Sequence, residues 1–266
     1  MAIITISRGI YTGGEALAEC LSNELGYRLV SREELLTDVA AEYGASKEQL
    51  ESALMHKPGF LEGRGQRRLH YIYCVQAGIA KVIQSDNVVY HGQAGHVLLK
   101  GIDHHLRVRV VTDMEHRINA AMELCSLTRE KAREYLKELD SQRDNWMRWV
   151  HGIDTSDPAL FDLVINLERI TIAGACALVA RTATDHFQRT AEAQRVVDDL
   201  VLTSAIRARI GQDPSISDDR VDIAAKDGVV TITAKARALA EVDRVRDVVQ
   251  AIPGVKEVHS KIGSGS

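Results

Sequence analysis

The sequence is poor in cysteine, proline and aromatic residues. Its 266 residues include 4 cysteines, 4 prolines and 5% aromatics. The cysteines lie far apart with no C-x-x-C pair, which disfavours a zinc or redox motif and favours buried free thiols in a reducing compartment. No signal-like segment opens the chain, and no apolar run reaches the roughly 18 residues that cross a membrane. We therefore expect a cytoplasmic protein with no transmembrane segment.

An excess of positive charge is also lacking. The formal net charge is −4 and the sequence pI is about 6.2. A chain of this balance has no general attraction for polyanions, so we expect no nucleic-acid partner. Charged residues make up 26% and apolar residues 45% of the chain, which is typical of folded globular domains and not of disorder.

Strand-like and helix-like segments alternate through the first two thirds of the chain. This order predicts an α/β fold, a parallel sheet with helices on both faces. A polar stretch follows, and then an α-β-β-α-β unit whose Asp227-Gly228 pair is a strong hairpin signal. We expect an α/β domain at 1–182, a linker at 183–192 and a small α+β domain at 193–262.

A glycine-rich segment, Gly9-Ile10-Tyr11-Thr12-Gly13-Gly14-Glu15-Ala16, lies between the first strand and the first helix. Its position and glycine spacing match the P-loop G-x-x-x-x-G-K-[ST], in which backbone N–H groups cradle phosphates. Glu15 stands where the lysine belongs, and Ala16 where the Mg²⁺-holding hydroxyl belongs. Either Glu15 repels a phosphate, or it is a first-turn residue that points to solvent and is favoured by the helix dipole.

Several dispersed segments resemble the cytidylate kinase-like branch of the P-loop nucleoside monophosphate kinases, over about residues 3 to 178. The resemblance rests on the opening Ile4-Thr5-Ile6-Ser7-Arg8, on Thr12-Gly13-Gly14, on Val88 to Gly95, on Leu106 to Val111 with Glu115-His116-Arg117, and on Asp157 to Asn166. It implies a P-loop kinase fold, with ATP and Mg²⁺ as cofactors if the protein is active.

The resemblance also assigns candidate site residues by position. It implies nucleotide binding by Arg8, Gly9, Thr12, Gly13, Gly14 and Glu15, a catalytic role for Arg117, Asp140 and Arg143, and substrate binding by Arg64, Arg67 and Gln93. The alternative for each arginine is a solvated helix face. At Gln93-Ala94 the cytidylate kinases carry Arg-Asp, so charge-assisted binding of the substrate phosphate is lost there.

Four histidines, His91, His96, His104 and His105, invite a metal-site interpretation. Their spacing is not that of a known zinc motif, and we expect His104-His105 to form a surface turn. No metal is therefore expected among the site residues.

The C-terminal unit resembles a BON domain. The resemblance rests on Asp219 to Ile223, on the hairpin Asp227 to Ile232 and on Ile252 to Val258. It implies an interaction module. Because acidic and basic residues nearly balance there, a small ligand, an ion or a protein partner is favoured over an anionic lipid surface.

Two functions follow from these features. The first is a nucleotide- or phosphate-binding protein with a degenerate P-loop, at best an atypical ATP-dependent nucleoside monophosphate phosphotransferase. The second is a catalytically inactive kinase-fold sensor or scaffold that signals through the BON-like domain. Fold alone does not choose between them.

Overall fold

A computed structural model describes residues 2–55, 65–213, 216, 221–234 and 239–262. The chain divides into two compact units. Unit 1 contains Met1–Glu34, Leu54–Lys57 and Ser85–Arg189, and unit 2 contains Leu35–Ala53, Pro58–Gln84 and Thr190–Ser266. The domain boundaries drawn from the sequence, 1–182 and 193–262, stay a prediction.

The first part of the chain, up to the end of α8, alternates strands with helices as predicted. Its strands are β1 (Ile3–Arg8), β2 (Arg28–Ser31), β3 (Val88–His91), β4 (His105–Val111) and β5 (Leu163–Asn166). Its helices are α1 (Gly14–Leu25), α2 (Arg32–Tyr43), α3 (Lys47–Met55), α4 (Gly65–Ile83), α5 (Gly95–Leu98), α6 (Met114–Cys125), α7 (Arg129–His151) and α8 (Ile172–His186).

The five strands form one parallel sheet in the order β2-β3-β1-β4-β5. Side chains alternate between its faces. Ile4 and Ile6 pack in a buried cluster with Leu17 of α1 and Val179 of α8, whereas Thr5 on the opposite face lies beside α5. This is the predicted parallel sheet with a helix on each face. Strand β2 was not predicted, because four residues with a single buried side chain give no readable alternation.

A disulfide joins Cys20 of α1 to Cys176 of α8, with 6.1 Å between their Cα atoms. The expectation of four buried free thiols is therefore wrong. Sequence spacing could not reveal the bond because 156 residues separate the partners, and only the packing of α1 on α8 brings them together. Cys74 is free and buried as expected, and Cys125 is free but exposed.

The C-terminal part of the chain has the predicted order of two helices and three strands. These are α9 (Ala191–Ile210), β6 (Val221–Lys226), β7 (Val229–Ala234), α10 (Leu239–Gln250) and β8 (Glu257–Ile262). The Asp227-Gly228 turn joins β6 and β7 into an antiparallel hairpin, and β8 pairs parallel with β7. Ile206 and Ile232 are among the residues of a separate hydrophobic core. Within the described residues, no helix is long and apolar enough to cross a membrane.

Candidate functional site

The carboxyl ends of β1, β3 and β4 lie side by side in the sheet. Arg8 ends β1, the segment Gly92-Gln93-Ala94 follows β3, and Thr112 follows β4. Ligands of parallel α/β sheets bind in the crevice outside these ends. The loops that the sequence singled out therefore meet where a ligand site is expected.

Two glycines shape the loop after β1. Gly13, the N-cap of α1, has a φ of 82°, a conformation that a side chain disfavours. A Cβ atom on Gly14 would lie 2.7 Å from both the Cβ and the Cδ of Arg8. The second glycine is therefore needed because the Arg8 side chain lies directly against the first turn of α1.

Glu15 is largely solvent-exposed. Its side chain is 65% exposed, and its Oε2 lies 4.0 Å from Nη2 of Arg8. An exposed pair at this distance contributes less than about 1 kcal/mol to stability. The geometry agrees with the alternative that Glu15 is a first-turn residue facing solvent, while it also places the carboxylate within range of the Arg8 guanidinium.

Arg117 connects three parts of the site. From the buried side of α6, its two terminal nitrogens donate to both carboxylate oxygens of Asp140 on α7, at 2.8 and 2.9 Å. Its Nε donates to the carbonyl oxygen of Ile10, in the loop after β1, at 2.9 Å. A bidentate, charge-assisted pair of this kind holds both side chains in fixed positions.

Arg143 lies one helical turn beyond Asp140 on α7. It makes no hydrogen bond or ion pair with any residue that the structure describes. Burial lowers the pKa of Arg143 to about 10, and the nearby positive charges of Arg8, Arg109 and Arg117 act in the same direction, against the carboxylate of Asp140. Arg143 is therefore a partly buried cation among other cations, an arrangement that favours an anion.

Gln93 is buried, and its Nε2 donates to the carbonyl oxygen of Leu54 at 2.9 Å. Its own carbonyl accepts a hydrogen bond from the hydroxyl of Tyr90 at 3.3 Å. The side chain therefore fixes the loop after β3 and supplies no charge to the site.

A cavity of about 200 Å³ lies at the ends of these strands; we call it the arginine cavity. Its walls carry four guanidinium groups, those of Arg8, Arg109, Arg117 and Arg143, together with polar groups of the loop after β1 and of α7. Asp140 and Asp144 supply the acidic side chains of the lining, so cations outnumber anions around this space.

A second cavity, of about 260 Å³, adjoins the first and shares part of its wall. The shared residues are Arg8, Gln93, Asp140 and Arg143. Arg32 and Glu33, at the start of α2, line only the second cavity. Two adjoining cavities with two arginines in the common wall can hold two ligands whose charged groups approach each other at that wall.

The lining of the arginine cavity also includes a group of residues with a different character. In this group, Phe161 lies with the ring of His96 at 4.7 Å between centroids and the guanidinium of Arg109 at 5.5 Å from its centre. Arg109 also donates to the carbonyl oxygen of Thr155, whose hydroxyl donates to Asp144. This group combines an aromatic ring, an imidazole and a fixed guanidinium.

The structure brings many of the predicted site residues together. Lining the arginine cavity are Arg8, Gly9, Thr12, Gln93, Arg117, Asp140 and Arg143. Gly13, Gly14 and Glu15 form the start of α1 beside it. Arg64 lies outside the described residues, and so does the side chain of Arg67. Their roles, like those of the other site residues, stay predictions.

Sequence reasoning missed Arg32, His96, Arg109 and Phe161 as cavity residues. Arg109 belongs to an alternating Val-Arg strand, and alternation alone suggests a solvent-facing side chain. The usable signal is its position near the carboxyl end of a parallel strand, where side chains point toward the ligand crevice.

The paired histidines are not a surface turn, and this expectation is wrong. His104 and His105 are both buried. Nε2 of His104 lies 2.9 Å from Oδ1 of the buried Asp86, and Nε2 of His105 lies 2.7 Å from the hydroxyl of Thr5. Internal hydrogen bonds compensate for their desolvation. No three His, Cys, Asp or Glu side chains come together as a metal site among the described residues.

The residues at the start of α1 do not fit the Mg²⁺ ion that P-loop kinases use. Ala16 offers a methyl group where the motif places a hydroxyl ligand. Asp140 is engaged by Arg117, and Asp144 by Thr155. No step is therefore assigned to a metal.

The fold and the site together define an α/β P-loop protein of the kinase type. Residues 3–169, well over half of the chain, match the cytidylate kinase-like family, and the chain belongs to that family. Residues 198–263 match the BON domain. Both matches agree with the resemblances read from the sequence.

Two further similarities agree with this assignment. The chain is 28% identical over 182 residues to a protein named cytidylate kinase from Methanothrix thermoacetophila, which covers 66% of this chain and 97% of that protein. A crystal structure of an uncharacterized protein from Eubacterium ventriosum superposes with a TM-score of 0.52 at 16% identity, covering 70% of this chain and all of the other. The second similarity concerns the fold alone.

Proposed function

We propose that the kinase-like part of the chain binds the phosphate groups of a nucleotide in the arginine cavity. The observation that carries this proposal is Arg143, a partly buried guanidinium with no hydrogen-bond partner among the described residues and with three further arginines around it. A phosphate group would supply the negative charge and the hydrogen-bond acceptors that Arg143 lacks.

The arginines would act on phosphate by position and charge. Phosphoryl transfer requires the reacting groups to be aligned and the developing negative charge to be stabilised, with little covalent participation by the protein. Arg117 is held by Asp140 and by the carbonyl of Ile10, so its charge is fixed in place before a ligand arrives. Arg8 and Arg143, in the wall common to both cavities, are placed to contact a group that passes between two ligands.

The finer form of the proposal is an atypical phosphotransferase that uses ATP and a nucleoside monophosphate such as CMP. Family membership and the pair of adjoining cavities support it. Glu15, Ala16 and the neutral Gln93 weigh against efficient turnover, since each removes a charge or a ligand that the kinases use. The second candidate is therefore a nucleotide-binding sensor without turnover, with the BON domain as the output module for a protein or small-ligand partner.

Isothermal titration calorimetry with ATP, ADP, CMP and pyrophosphate tests the binding proposal. The variant Arg143→Gln keeps a hydrogen-bonding side chain but loses the charge, and it should weaken binding by about 10- to 100-fold, as expected for a charge-assisted hydrogen bond. The matched control is Arg181→Gln, which removes an exposed arginine of α8 that pairs with Asp185 four residues away.

Equal affinities for wild type, Arg143→Gln and Arg181→Gln would contradict the proposal, and so would the absence of any binding by folded wild-type protein. Turnover is tested separately, by the Mg²⁺-dependent production of ADP from ATP with CMP or dCMP as acceptor. Binding without ADP production would favour the sensor over the phosphotransferase.

A further inference from the structure

His96 is a buried side chain whose hydrogen-bonding capacity is unused. It is 8% exposed and lines the arginine cavity. Neither Nδ1 nor Nε2 has a hydrogen-bond partner among the described residues. Leaving a buried polar group unpaired costs about 1–3 kcal/mol, so nearly all such groups in native proteins are paired. A cavity-lining imidazole with two unpaired nitrogens therefore needs an explanation.

The surroundings keep this imidazole neutral. Burial, together with the neighbouring charges of His105, Arg143 and Arg109, lowers the pKa of His96 to about 3. A neutral imidazole carries one N–H donor and one nitrogen acceptor. It can therefore bind an uncharged partner that presents both a donor and an acceptor, and it is poorly suited to hold a phosphate in place of the arginines.

Phe161 and Arg109 add the other features of a site for a flat ring. The Phe161 ring lies against His96, and the Arg109 guanidinium lies over the same ring. Aromatic and guanidinium planes of this kind stack on heterocycles, and polar groups at their edges read hydrogen-bonding patterns.

The face of α7 that lines the cavity contacts both groups of residues, the arginines proposed to bind phosphate and the group of His96, Phe161 and Arg109. Asp140 holds Arg117, which contacts the loop after β1, whereas Asp144 accepts a hydrogen bond from Thr155, which in turn accepts one from Arg109. The two aspartates are one helical turn apart, a rise of about 6 Å. A ligand with phosphate at one end and a planar polar ring at the other spans such a distance.

We propose that His96 is a specificity-determining residue that hydrogen-bonds the base of the nucleotide whose phosphate lies among the arginines, with Phe161 and Arg109 beside that base. This inference rests on the proposed function, and it names the base as the part of the nucleotide by which the cavity distinguishes one nucleotide from another. Metal ligation by His96 is not involved, because the described residues place no cluster of three ligating side chains around it.

The variant His96→Phe keeps a planar ring against Phe161 and removes both nitrogens. It is titrated against CMP, UMP, AMP and GMP, and against ribose 5-phosphate, which has the phosphate and the sugar but no base. We expect affinity for the preferred nucleotide to fall by about tenfold, the loss expected for one hydrogen bond in a buried site. Affinity for ribose 5-phosphate should not change.

Thermal denaturation of His96→Phe supplies an independent readout. Because the substitution removes two unpaired buried nitrogens, the melting temperature should stay the same or rise, so binding and stability should move in opposite directions. A second variant, His96→Gln, keeps a donor and an acceptor and should shift the order of preference among the four nucleotides. If His96→Phe does not fold, that shift in preference tests whether His96 recognises the base.

An unchanged nucleotide affinity in His96→Phe overturns the inference, and so does an equal loss for ribose 5-phosphate. An unchanged order of preference in His96→Gln does the same. If Arg143→Gln loses affinity while both His96 variants behave like wild type, phosphate binding stands and base recognition by His96 fails. If folded wild-type protein binds none of the five compounds, base recognition by His96 fails, and if it also binds no ATP, ADP or pyrophosphate, both proposals fail together.

Discussion

The two units of the molecule each contain a cavity, and the larger of these two cavities is less suited to bind a ligand. Unit 2 has a cavity of about 310 Å³, whereas the arginine cavity of unit 1 has a volume of about 200 Å³. In the larger cavity several of the polar groups are paired with one another. Asp199 accepts from the backbone N–H of Asp227, Lys256 donates to the carbonyl of the same residue, and Gln84 donates to Asp198.

In the arginine cavity the balance is the reverse. Both nitrogens of His96 and the Nε of Arg8 are buried and have no hydrogen-bond partner in the part of the chain that the structure describes. A ligand that contacts these unpaired groups gains interactions without breaking internal ones, whereas a ligand that contacts the paired groups of the other cavity must compete with hydrogen bonds already made. The presence of unpaired hydrogen-bonding groups is therefore a better guide than volume to which of the two cavities binds a ligand.

The largest expected effect is that of Arg117→Gln. The substitution leaves Asp140 without its bidentate partner and the carbonyl of Ile10 without its donor. Because Arg117 is buried but the Asp140 side chain is 36% exposed, we expect a loss of about 1.5–3 kcal/mol in the free energy of unfolding, as for lost hydrogen bonds to a charged group, together with loss of nucleotide binding. Urea denaturation followed by the fluorescence of the buried Trp146 measures the first effect, and calorimetry the second.

The chain offers a matched control for this variant. Arg133 pairs with Glu115 across the same two helices, α7 and α6, but both side chains are about half exposed. Arg133→Gln should therefore change the free energy of unfolding by less than about 0.5 kcal/mol and leave binding intact. Similar losses in both variants would show that Arg117 has no special place in the site.

A smaller effect is expected from Glu15→Lys. Removing a carboxylate beside Arg8 and adding a cation should tighten the binding of pyrophosphate by about fivefold, or about 1 kcal/mol. Glu19→Lys, one turn further along the exposed face of α1, controls for the change in total charge. If the two variants bind pyrophosphate equally well, the start of α1 does not contact the phosphates.

The smallest effect is expected in the C-terminal cavity. Burial raises the pKa of Asp199, against the hydrogen bond from the backbone of Asp227. Since the folded-state pKa lies above the unfolded value of about 3.9, Asp199 lowers stability at neutral pH, and this loss disappears as the pH falls below that value. A ¹³C NMR titration should place the pKa of this carboxyl above its ordinary range.

Asp199→Asn should leave nucleotide affinity unchanged, because this cavity has no part in the proposed binding. A weaker affinity in Asp199→Asn would mean that the two cavities are coupled. A carboxyl that titrates at or below its ordinary value would instead show that the hydrogen bond from Asp227 outweighs burial.

Much of the fold could be predicted from the sequence because its signals are local. The apolar run of β1, the glycines around α1 and the Asp227-Gly228 turn each specify their own conformation. The disulfide and the burial of His104 could not be predicted in this way. Both depend on partners more than a dozen residues away, Cys176 for Cys20 and Asp86 for His104, which only the packed sheet and helices bring close.

The site was predictable in outline and not in detail. Position relative to known motifs pointed to Arg8, Arg117 and Arg143, and all three line one cavity. It could not point to His96, because the significance of that residue lies in hydrogen bonds it does not make. A sequence shows which groups are present, whereas only coordinates show which of them remain unpaired.

The bond between Cys20 and Cys176 turns much of the chain into a covalent ring that closes 156 residues of sequence. A protease that cuts once inside the ring leaves the two fragments attached until the bond is reduced. A force applied to the two ends of the chain bypasses the residues inside the ring and acts on the segments outside it, which include β1 and the BON domain. Such bonds are uncommon in the cytosol, so this one runs against the cytoplasmic location that the sequence favours.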